Sequence, residues 1–555
     1  MRPRRCANLP RPRLASARPL PAPPRCQRPP LARDSPRRPH TDPRPFALDN
    51  RADTFSYALG QGLNIGFLAM SYAPDVGGVQ TLMTGLAREY QRRGHQVFVL
   101  CLDMSGQAEP FTHREERIEG VLVRRIAYAF HDHRRLADLL RHKRLEDLVL
   151  AWLAEAPCDV IHVHHLSGFG AGALAAIQAV GQPLVLTLHD YWLIDPLGQM
   201  YATRPRSEPE PEDIRSAPPF GAAIERPELD LWVERIRGCW PHLLPSGGGQ
   251  QTGPEDQPVP DDRAAVEACL DYAMQMLRLP ACVLSPSAAA ADVFARAGLE
   301  AGRIQVCENG VDVAGLKEAV AAERQPLSRP AGQLRLGVLG SVLPSKGALE
   351  FAQAFLDAGV PGLELEIHGN EPSYHGDNRY VERLRRLASE QPSIRVFGPY
   401  TPERLPAILA GLDGVAAPSR WEEVFGLTVR EARAAGLPIL VSDAGALAAS
   451  ADGGRGGWIV GRDDRAGWAQ AIREFASDEA LRRKKAAHTV EPRGLAEQAK
   501  ELLGHYTQAI FDTTGRDLRV KFGPPPPVSG AALPELDKKA ERPSLVGRFR
   551  RWLGQ

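Results

Sequence analysis

The sequence predicts an α/β fold with two halves, each built around its own parallel sheet, and with a cleft between them. Short apolar runs, beginning with LNIGFLA, alternate with helical stretches over residues 61–320, which is the pattern of strands joined by crossover helices. The same alternation starts again at LRLGVLG and continues to about residue 495. A chain of 555 residues is long enough for at least two domains, because one domain usually holds about 100–200 residues.

The first half opens with the strand LNIGFLA, a loop that contains Gly77 and Gly78, and the helical run TLMTGLAREYQRRG. Further strands are predicted at QVFVLCL, VLVRRI, DVIHVHH, PLVLTL and ACVLS, and a helix then leads to RIQVCENGVD. Residues 198–262 interrupt this rhythm and are interpreted as a surface insertion that is mostly loop. The polar stretch 321–333 is interpreted as the interdomain linker.

The second half repeats the pattern with LRLGVLG, the helix ALEFAQAFLDAG, and the strands LELEIHG, IRVFG, GVAAP, LPILVSD and GGWIV. Two Rossmann-like domains, at 61–320 and 334–495, would face each other across a cleft in which a ligand can bind. A helix predicted at 496–512 closes the second series.

Both ends of the chain have unusual compositions. Residues 1–60 are crowded with Arg and Pro, so we interpret them as a disordered extension or as the product of a start codon assigned too early. A transit peptide is the alternative, but the prolines would interrupt its amphipathic helix. Residues 513–543 are predicted to be a Pro-rich linker. The apolar positions of 544–555 recur at helical spacing between arginines, which suits an anionic membrane surface, a partner protein or a frayed terminus.

Charge and cysteine content exclude several classes of protein. The 68 Lys and Arg residues nearly balance the 67 Asp and Glu residues, so the net charge of +1 gives no sign of a nucleic-acid partner. The eight cysteines include no CxxC pair and no histidine pair at zinc spacing, and the chain has no apolar stretch of about 18 residues. We therefore expect a reduced, cytoplasmic protein without a metal or a resident cofactor.

The most informative local pattern is APSRWEEVFGLTVREARAAGLPILVSD, in which Glu423 and Glu431 stand on either side of a loop-to-helix junction. The N-terminus of a helix attracts anions, and nearby carboxylates can accept hydrogen bonds from the adjacent hydroxyls of a ribose or hexose. On spacing alone, two ordinary solvated glutamates on a helix are the better explanation of the pattern.

The residues around these glutamates add specificity. The pattern closely resembles the Glu-x7-Glu signature of glycosyltransferase family 4, and the resemblance extends from about residue 63 to residue 511. It is carried by Pro418, Ser419, Glu423, Phe425, Gly426, Leu427, Glu431 and Ala432. The resemblance implies the GT-B fold and a retaining hexosyltransferase that uses a nucleotide-diphosphate sugar. The acceptor would be a hydroxyl of a glycan or glycolipid, in the biosynthesis of a surface polysaccharide.

The resemblance also implies roles for individual residues of the second half. In LGVLGSVLPSKGALEF, Lys346 matches the lysine that neutralises the donor diphosphate, and Gly347 follows it. Ser341 stands where many members have an arginine, so one positive charge on the leaving group is missing or comes from elsewhere. Gly369 ends a strand in the region where members hold the nucleotide base. Glu423 would hold the donor sugar and Glu431 the ribose.

In the first half, the resemblance places Gly77 and Gly78 near the donor phosphate and the acceptor, and His189 beside the transferred sugar. Both fit the general behaviour of open α/β sheets, whose functional residues gather at the carboxyl ends of strands. A tight turn and a structural histidine are the simpler explanations. The Asn-Gly-x-Asp turn at Asn309, Gly310 and Asp312 is interpreted as structural.

No Asp-x-Asp triplet occurs in the chain, so departure of the diphosphate would depend on Lys346 and helix N-termini instead of a metal. Two rival functions stay open. GFGAGA at 168–173, with Asp190 about 20 residues on, satisfies a dinucleotide-binding fingerprint and would suit a dehydrogenase. A catalytically degenerate member that only binds sugars or acts as a scaffold would explain Ser341.

Overall fold

The structure is a computed structural model, and it describes residues 62–128, 133, 135–195, 198, 232–233, 236–237, 240–244, 261–324, 333–373, 377–488 and 491–518. The predictions made for residues 1–60, for most of the insertion at 198–262 and for the tail at 544–555 lie outside these residues. Two separate sheets carry the described part of the chain, so the α/β fold with two Rossmann-like halves is confirmed.

The first half contains an eight-stranded sheet in the order β3-β4-β2-β1-β5-β6-β7-β8. Its strands are β1 (Asn64–Leu68), β2 (Gln96–Asp103), β3 (His113–Ile118), β4 (Val121–Ala127), β5 (Val160–Val163), β6 (Leu184–Thr187), β7 (Cys282–Ser285) and β8 (Ile304–Val306). The pairs are parallel except β3 with β4, an edge hairpin that the sequence analysis did not anticipate. The exposed side chains of HREERI lack the apolar alternation that marks a buried strand.

The helices of this half are α1 (Gly78–Arg92), α2 (Lys143–Glu155), α3 (Gly172–Ala179), α4 (Asp262–Met276) and α5 (Ala288–Arg296). Helix α1 begins at Gly78, three residues before the predicted start, so the glycine pair forms the N-terminus of the helix. This start brings backbone N–H groups to the carboxyl edge of the sheet, next to the end of β1.

The second half has a six-stranded, fully parallel sheet in the order β11-β10-β9-β12-β13-β14. Its strands are β9 (Leu334–Leu339), β10 (Leu363–His368), β11 (Ile394–Gly398), β12 (Gly414–Ala417), β13 (Ile439–Ser442) and β14 (Gly457–Val460). Its helices are α6 (Val313–Arg324), α7 (Ala348–Ala358), α8 (Arg379–Glu390), α9 (Leu405–Ala410), α10 (Leu427–Ala434), α11 (Leu447–Ser450), α12 (Arg465–Ser477) and α13 (Glu479–Ala487). Helix α6 extends to Arg324, so the first residues of the predicted linker are helical.

The last described helix, α14 (Leu495–Thr514), returns to the first half. Its buried face packs with the core on one side of the first sheet, where the Tyr506 hydroxyl lies 3.2 Å from the Tyr90 hydroxyl. The chain therefore crosses between the halves twice. No helix in the described part of the chain is both long and apolar enough to cross a membrane.

Candidate functional site

A cavity of about 530 Å³ lies where the carboxyl edges of the two sheets face each other. The loop between β1 and α1 and the end of β6 line it from the first half. The loops after β9, β10 and β12 and the start of α10 line it from the second half. Carboxyl edges of parallel strands are the usual ligand sites of α/β proteins, because loops and helix N-termini converge there.

The cavity brings together most of the residues that the sequence analysis selected. Those lining it are Gly77, Gly78, His189, Ser341, Lys346, Gly369, Glu423, Phe425, Gly426, Leu427 and Glu431. Gly347 is not among the lining residues, although its neighbour Lys346 is. Glu423 and Glu431, which are eight positions apart in the sequence, both contribute to this one surface.

Glu423 is buried, with 6% of its surface exposed, and its carboxylate is held by two donors. The Lys346 ammonium donates to Glu423 Oε1 over 2.5 Å, and the Ser419 hydroxyl donates to the same oxygen over 2.5 Å. Lys346 Nζ also lies 4.9 Å from the centre of the Trp421 ring, a cation–π contact. An ammonium has three N–H groups, so Lys346 keeps donors for a ligand after it has bound Glu423.

The loop that carries Glu423 is anchored in the first half. Trp421 and Val424 belong to the hydrophobic core of that half, and the Tyr191 ring meets the Trp421 ring edge-on at 5.9 Å. The Ser287 hydroxyl, at the N-terminus of α5, donates to the Val424 carbonyl over 2.6 Å. Because both halves hold this loop, the position of Glu423 depends on their mutual arrangement.

Glu431 has a different environment. Its carboxyl group lines the cavity, and burial raises its pKa from 4.5 to about 7. The adjacent Arg430 points elsewhere: its guanidinium lies 3.6 Å from the centre of the Phe425 ring and donates to the Ser450 hydroxyl over 3.0 Å. Among the described residues, no side chain forms a hydrogen bond or an ion pair with the Glu431 carboxylate, so its oxygens can accept from a ligand in the cavity.

Two helix N-termini adjoin each other in the wall of the cavity. Helix α1 begins at Gly78 and helix α10 begins at Leu427, and a Cβ atom at Gly78 would lie 3.9 Å from Leu427 Cδ2. Neither helix has an acidic residue in its first turn, and neither N-cap side chain blocks the backbone N–H groups. Backbone N–H groups without a side-chain cap and the positive ends of both helix dipoles make this part of the cavity suitable for an anion.

The cavity has few side-chain cations. Lys346 is the one Lys or Arg among the described residues that line it. Arg420 is three residues before Glu423 in the sequence, but it does not line the cavity. Its guanidinium pairs instead with Glu350 at 3.1 Å and with Asp463 at 3.0 Å. Ser341 lines the cavity where an arginine was expected from the family pattern.

Two glycines allow a close approach of loops around the cavity. Gly347 has a φ of +71°, and a Cβ atom there would lie 2.1 Å from the Pro418 carbonyl oxygen. Gly347 therefore packs against the Pro418 backbone, in the loop that leads to Glu423, and does not line the cavity. A Cβ atom at Gly369 would lie 1.7 Å from the Gly340 carbonyl oxygen, so this position also excludes a side chain.

His189 reaches the cavity from the end of β6. It belongs to a cluster with His162, His164 and His165 that sequence reasoning missed. Its Nε2 lies 3.2 Å from His164 Nδ1, and burial lowers its pKa from 6.5 to about 3. His165 forms an ion pair with Asp190, which raises the pKa of His165 and lowers that of Asp190. The run HVHH at residues 162–165 could have indicated this cluster, because alternate residues of a strand, here His162 and His164, share one face.

The glycine run at 168–173 serves packing. A Cβ atom at Gly168 would lie 2.4 Å from Leu102, and one at Gly170 would lie 2.6 Å from the Leu140 carbonyl oxygen. These glycines do not line the cavity. Asp190, which the dinucleotide fingerprint requires for a ribose, is committed to His165 and to the backbone N–H of Trp192. The glycine run and Asp190 therefore do not form the dinucleotide site that a dehydrogenase would need.

Two family models match the chain, and together they cover just over half of it. Residues 76–216 match the model described as Glycosyltransferase Family 4, and residues 333–478 match that described as Glycosyl transferases group 1. A curated relative, the D-inositol 3-phosphate glycosyltransferase of Corynebacterium jeikeium, is 32% identical over 188 residues, which are 32% of this chain and 45% of the relative. The chain spans about half the length of the curated relatives that it matches.

Solved structures share the architecture over most of the chain. The α,α-trehalose 6-phosphate synthase of Burkholderia multivorans is similar with a TM-score of 0.55 at 13% identity, covering 82% of this chain and 98% of that one. The catalytic domain of starch synthase IV from Arabidopsis thaliana, bound to ADP and acarbose, gives a TM-score of 0.52 at 17% identity, covering 81% and 99%. The two family models show that the chain belongs to glycosyltransferase family 4. The similar structures and the two Rossmann-like halves show that it has the GT-B fold.

Proposed function

We propose that the chain transfers a hexose-type sugar from a nucleotide-diphosphate sugar to a hydroxyl group of a glycan or lipid-linked acceptor. The observation that carries this proposal is the cavity itself, where Lys346 and two helix N-termini meet the carboxylates of Glu423 and Glu431. A sugar joined to a diphosphate needs both kinds of group, since it presents anionic oxygens beside vicinal hydroxyls. The starch synthase neighbour, whose structure contains ADP, supports a nucleotide in the corresponding fold.

Different residues of the cavity would bind different parts of the donor. The diphosphate lies between the starts of α1 and α10, with Lys346 donating to it, and these groups stabilise the negative charge that develops as the diphosphate leaves. Glu423 accepts hydrogen bonds from the hydroxyls of the transferred sugar, and Glu431 accepts from the ribose. His189 contacts the sugar from the opposite wall. The reaction is proposed to proceed without a metal and with retention at the anomeric carbon.

The first half is proposed to bind the acceptor, and the product would be a surface polysaccharide or glycolipid made at the cytoplasmic face of a membrane. The matched relatives are named for transfer to D-inositol 3-phosphate. Closure of the cleft would exclude water, which otherwise competes with the acceptor hydroxyl for the sugar.

A thermal-shift screen with UDP-, GDP- and ADP-glucose tests the donor site. We expect one of them to raise the unfolding temperature of the wild type, because a ligand that binds only the folded state stabilises it. Glu431→Ala should abolish this shift, whereas Glu318→Ala, on the exposed face of α6, should leave it intact. If no donor stabilises the wild type, or if Glu431→Ala responds like the wild type, the proposed donor site is wrong. Binding without hydrolysis or transfer would instead indicate a degenerate sugar-binding member.

The raised pKa of Glu431 gives this site a pH dependence. If the ionised carboxylate is the form that accepts from the ribose, UDP-glucose affinity should rise about tenfold from pH 6 to pH 8, across the pKa of about 7. The diphosphate diester of UDP-glucose does not titrate in this range, so the change reports on the protein. Titration calorimetry should show a much flatter profile for Glu431→Gln; an equally steep profile in that variant would assign the effect to another group.

The raised pKa of Glu431 also makes the free energy of unfolding depend on pH. Between about pH 4.5 and pH 7 the folded protein keeps the Glu431 proton and the unfolded chain has lost it, so the free energy of unfolding falls as the pH rises. Glu431→Gln should remove this part of the pH dependence.

A further inference from the structure

His164 lies directly behind His189 and has no contact with the cavity surface. It follows the end of β5 and is 1% exposed, with its ring enclosed between the Phe67 ring at 4.7 Å and the His162 ring at 3.9 Å. Its ring is nearly parallel to that of His189, at 11° and 5.4 Å between centres. The rings of Phe67, His162 and His189 therefore pack around the His164 ring.

One hydrogen bond joins the two rings, between His164 Nδ1 and His189 Nε2 at 3.2 Å. Burial lowers the pKa of both imidazoles well below neutrality, so both are uncharged at physiological pH. Each neutral ring carries one proton, and the shared hydrogen bond can hold only one of them. Either His164 donates to His189, or His189 donates to His164.

The other nitrogen of His164 decides between these arrangements. His164 Nε2 is buried and has no hydrogen-bond partner among the described residues. If His189 donated, the His164 proton would sit on Nε2 as a buried, unpaired N–H group, which is rarer in proteins than an unpaired acceptor. If His164 donates from Nδ1, its Nε2 is a bare acceptor and no N–H group is left without a partner there.

We propose that His164 is a positioning residue that donates to His189 Nε2 and so holds His189 in the tautomer whose proton is on Nδ1. That nitrogen forms no hydrogen bond with any described residue, and His189 lines the cavity, so the N–H group is available to a ligand. His189 then acts as a hydrogen-bond donor to an oxygen of the bound sugar and not as a general base. The identity of that ligand rests on the function proposed above.

The neighbouring histidine on the same strand offers a matched control. His162 is as buried as His164, but its two nitrogens face the Tyr506 hydroxyl and the Thr187 hydroxyl, each at 2.7 Å. A substitution at His162 disturbs the same core without removing the donor to His189. His164→Asn supplies a second comparison, because its amide N–H group can take the place of the Nδ1 donor.

Nitrogen NMR of the protein labelled with 15N-histidine tests the proposal directly, with the His189 signals identified by their loss in His189→Gln. We expect wild-type His189 to show a protonated Nδ1 and an unprotonated Nε2, and His164→Leu to show a mixture of the two tautomers. His162→Leu and His164→Asn should keep the wild-type pattern. A wild-type His189 protonated on Nε2, or an unchanged pattern in His164→Leu, would overturn the proposal.

Kinetics separates this role from a merely structural one. His164→Leu should lower kcat about tenfold with little change in KM, because one hydrogen bond to the reacting sugar becomes unreliable, and His164→Asn should recover most of that loss. His162→Leu should lower the unfolding temperature without lowering kcat in the folded protein. Failure of every donor in the thermal-shift screen would refute the proposed function, whereas the NMR result decides the His189 tautomer in either case.

Discussion

Replacing Lys346 with methionine is expected to reduce kcat/KM for sugar transfer by a factor of roughly 10²–10³, the usual effect of removing one donor aimed at developing negative charge. Lys346 is the one Lys or Arg among the described cavity-lining residues, and Ser341 occupies the position of a second cation. No neighbouring side chain in this part of the structure can therefore compensate. The substitution also leaves the buried Glu423 carboxylate with Ser419 as its remaining side-chain donor.

The measurement is steady-state transfer or donor hydrolysis with the donor identified by the thermal-shift screen. Lys317→Met is the matched control, because Lys317 is half exposed, pairs with Glu491 on the surface and is not among the residues that line the cavity. Its kcat/KM should stay within about twofold of the wild type, since surface ion pairs contribute little. If Lys346→Met kept more than a tenth of the wild-type activity, the helix N-termini alone would be stabilising the leaving group.

Gly347→Ala is expected to destabilise the second half strongly. An alanine at φ +71° costs about 1–2 kcal/mol for the left-handed backbone, and its Cβ atom would collide with the Pro418 carbonyl oxygen at 2.1 Å. Relief of this contact must move either the loop that carries Lys346 and Gly347 or the segment from Pro418 to Glu423. The expected result is a fall of several degrees in the unfolding temperature, together with weaker donor binding.

Gly359 provides the control for the backbone contribution. It ends helix α7 at φ +62°, and a Cβ atom there meets nothing within 4 Å. Gly359→Ala should therefore show the cost of the left-handed conformation alone, with donor binding unchanged. Calorimetry that gave the same unfolding temperature for both variants would show that the loops yield easily around Gly347, and would remove the argument that this glycine holds Lys346 near Glu423.

Local sequence was sufficient to predict the buried strands. Short, mostly apolar runs such as LNIGFLA and LRLGVLG, placed between helical stretches, are typical of strands buried in a parallel sheet. It was insufficient for the β3 edge strand, whose exposed polar residues are stabilised by pairing with β4 and not by burial. The start of α1 at Gly78 was also missed, since glycine is a poor helix former and only the surrounding loop places it in the first turn.

For the site, the motif around Glu423 and Glu431 led to a set of residues predicted to bind the donor, and the structure brings most of them to one cavity. Their different states could not be read from the motif. Glu423 is held by Lys346 and Ser419, whereas Glu431 has no described side-chain partner and a raised pKa. These differences arise from residues that are far apart in the chain, such as Lys346 and Glu423, and from the desolvation that the assembled fold imposes.

The sequence by itself determined the fold class, the two halves and the residue types available at the candidate site, because hydrophobic periodicity and short motifs are local properties. The tertiary structure alone decided which of those residues meet, that the Glu423 loop is anchored in the opposite half, and that His164 stands behind His189. Hydrogen bonds, burial and pKa values depend on distances between separate elements, and those distances exist only once both sheets have formed and α14 has packed back on the first.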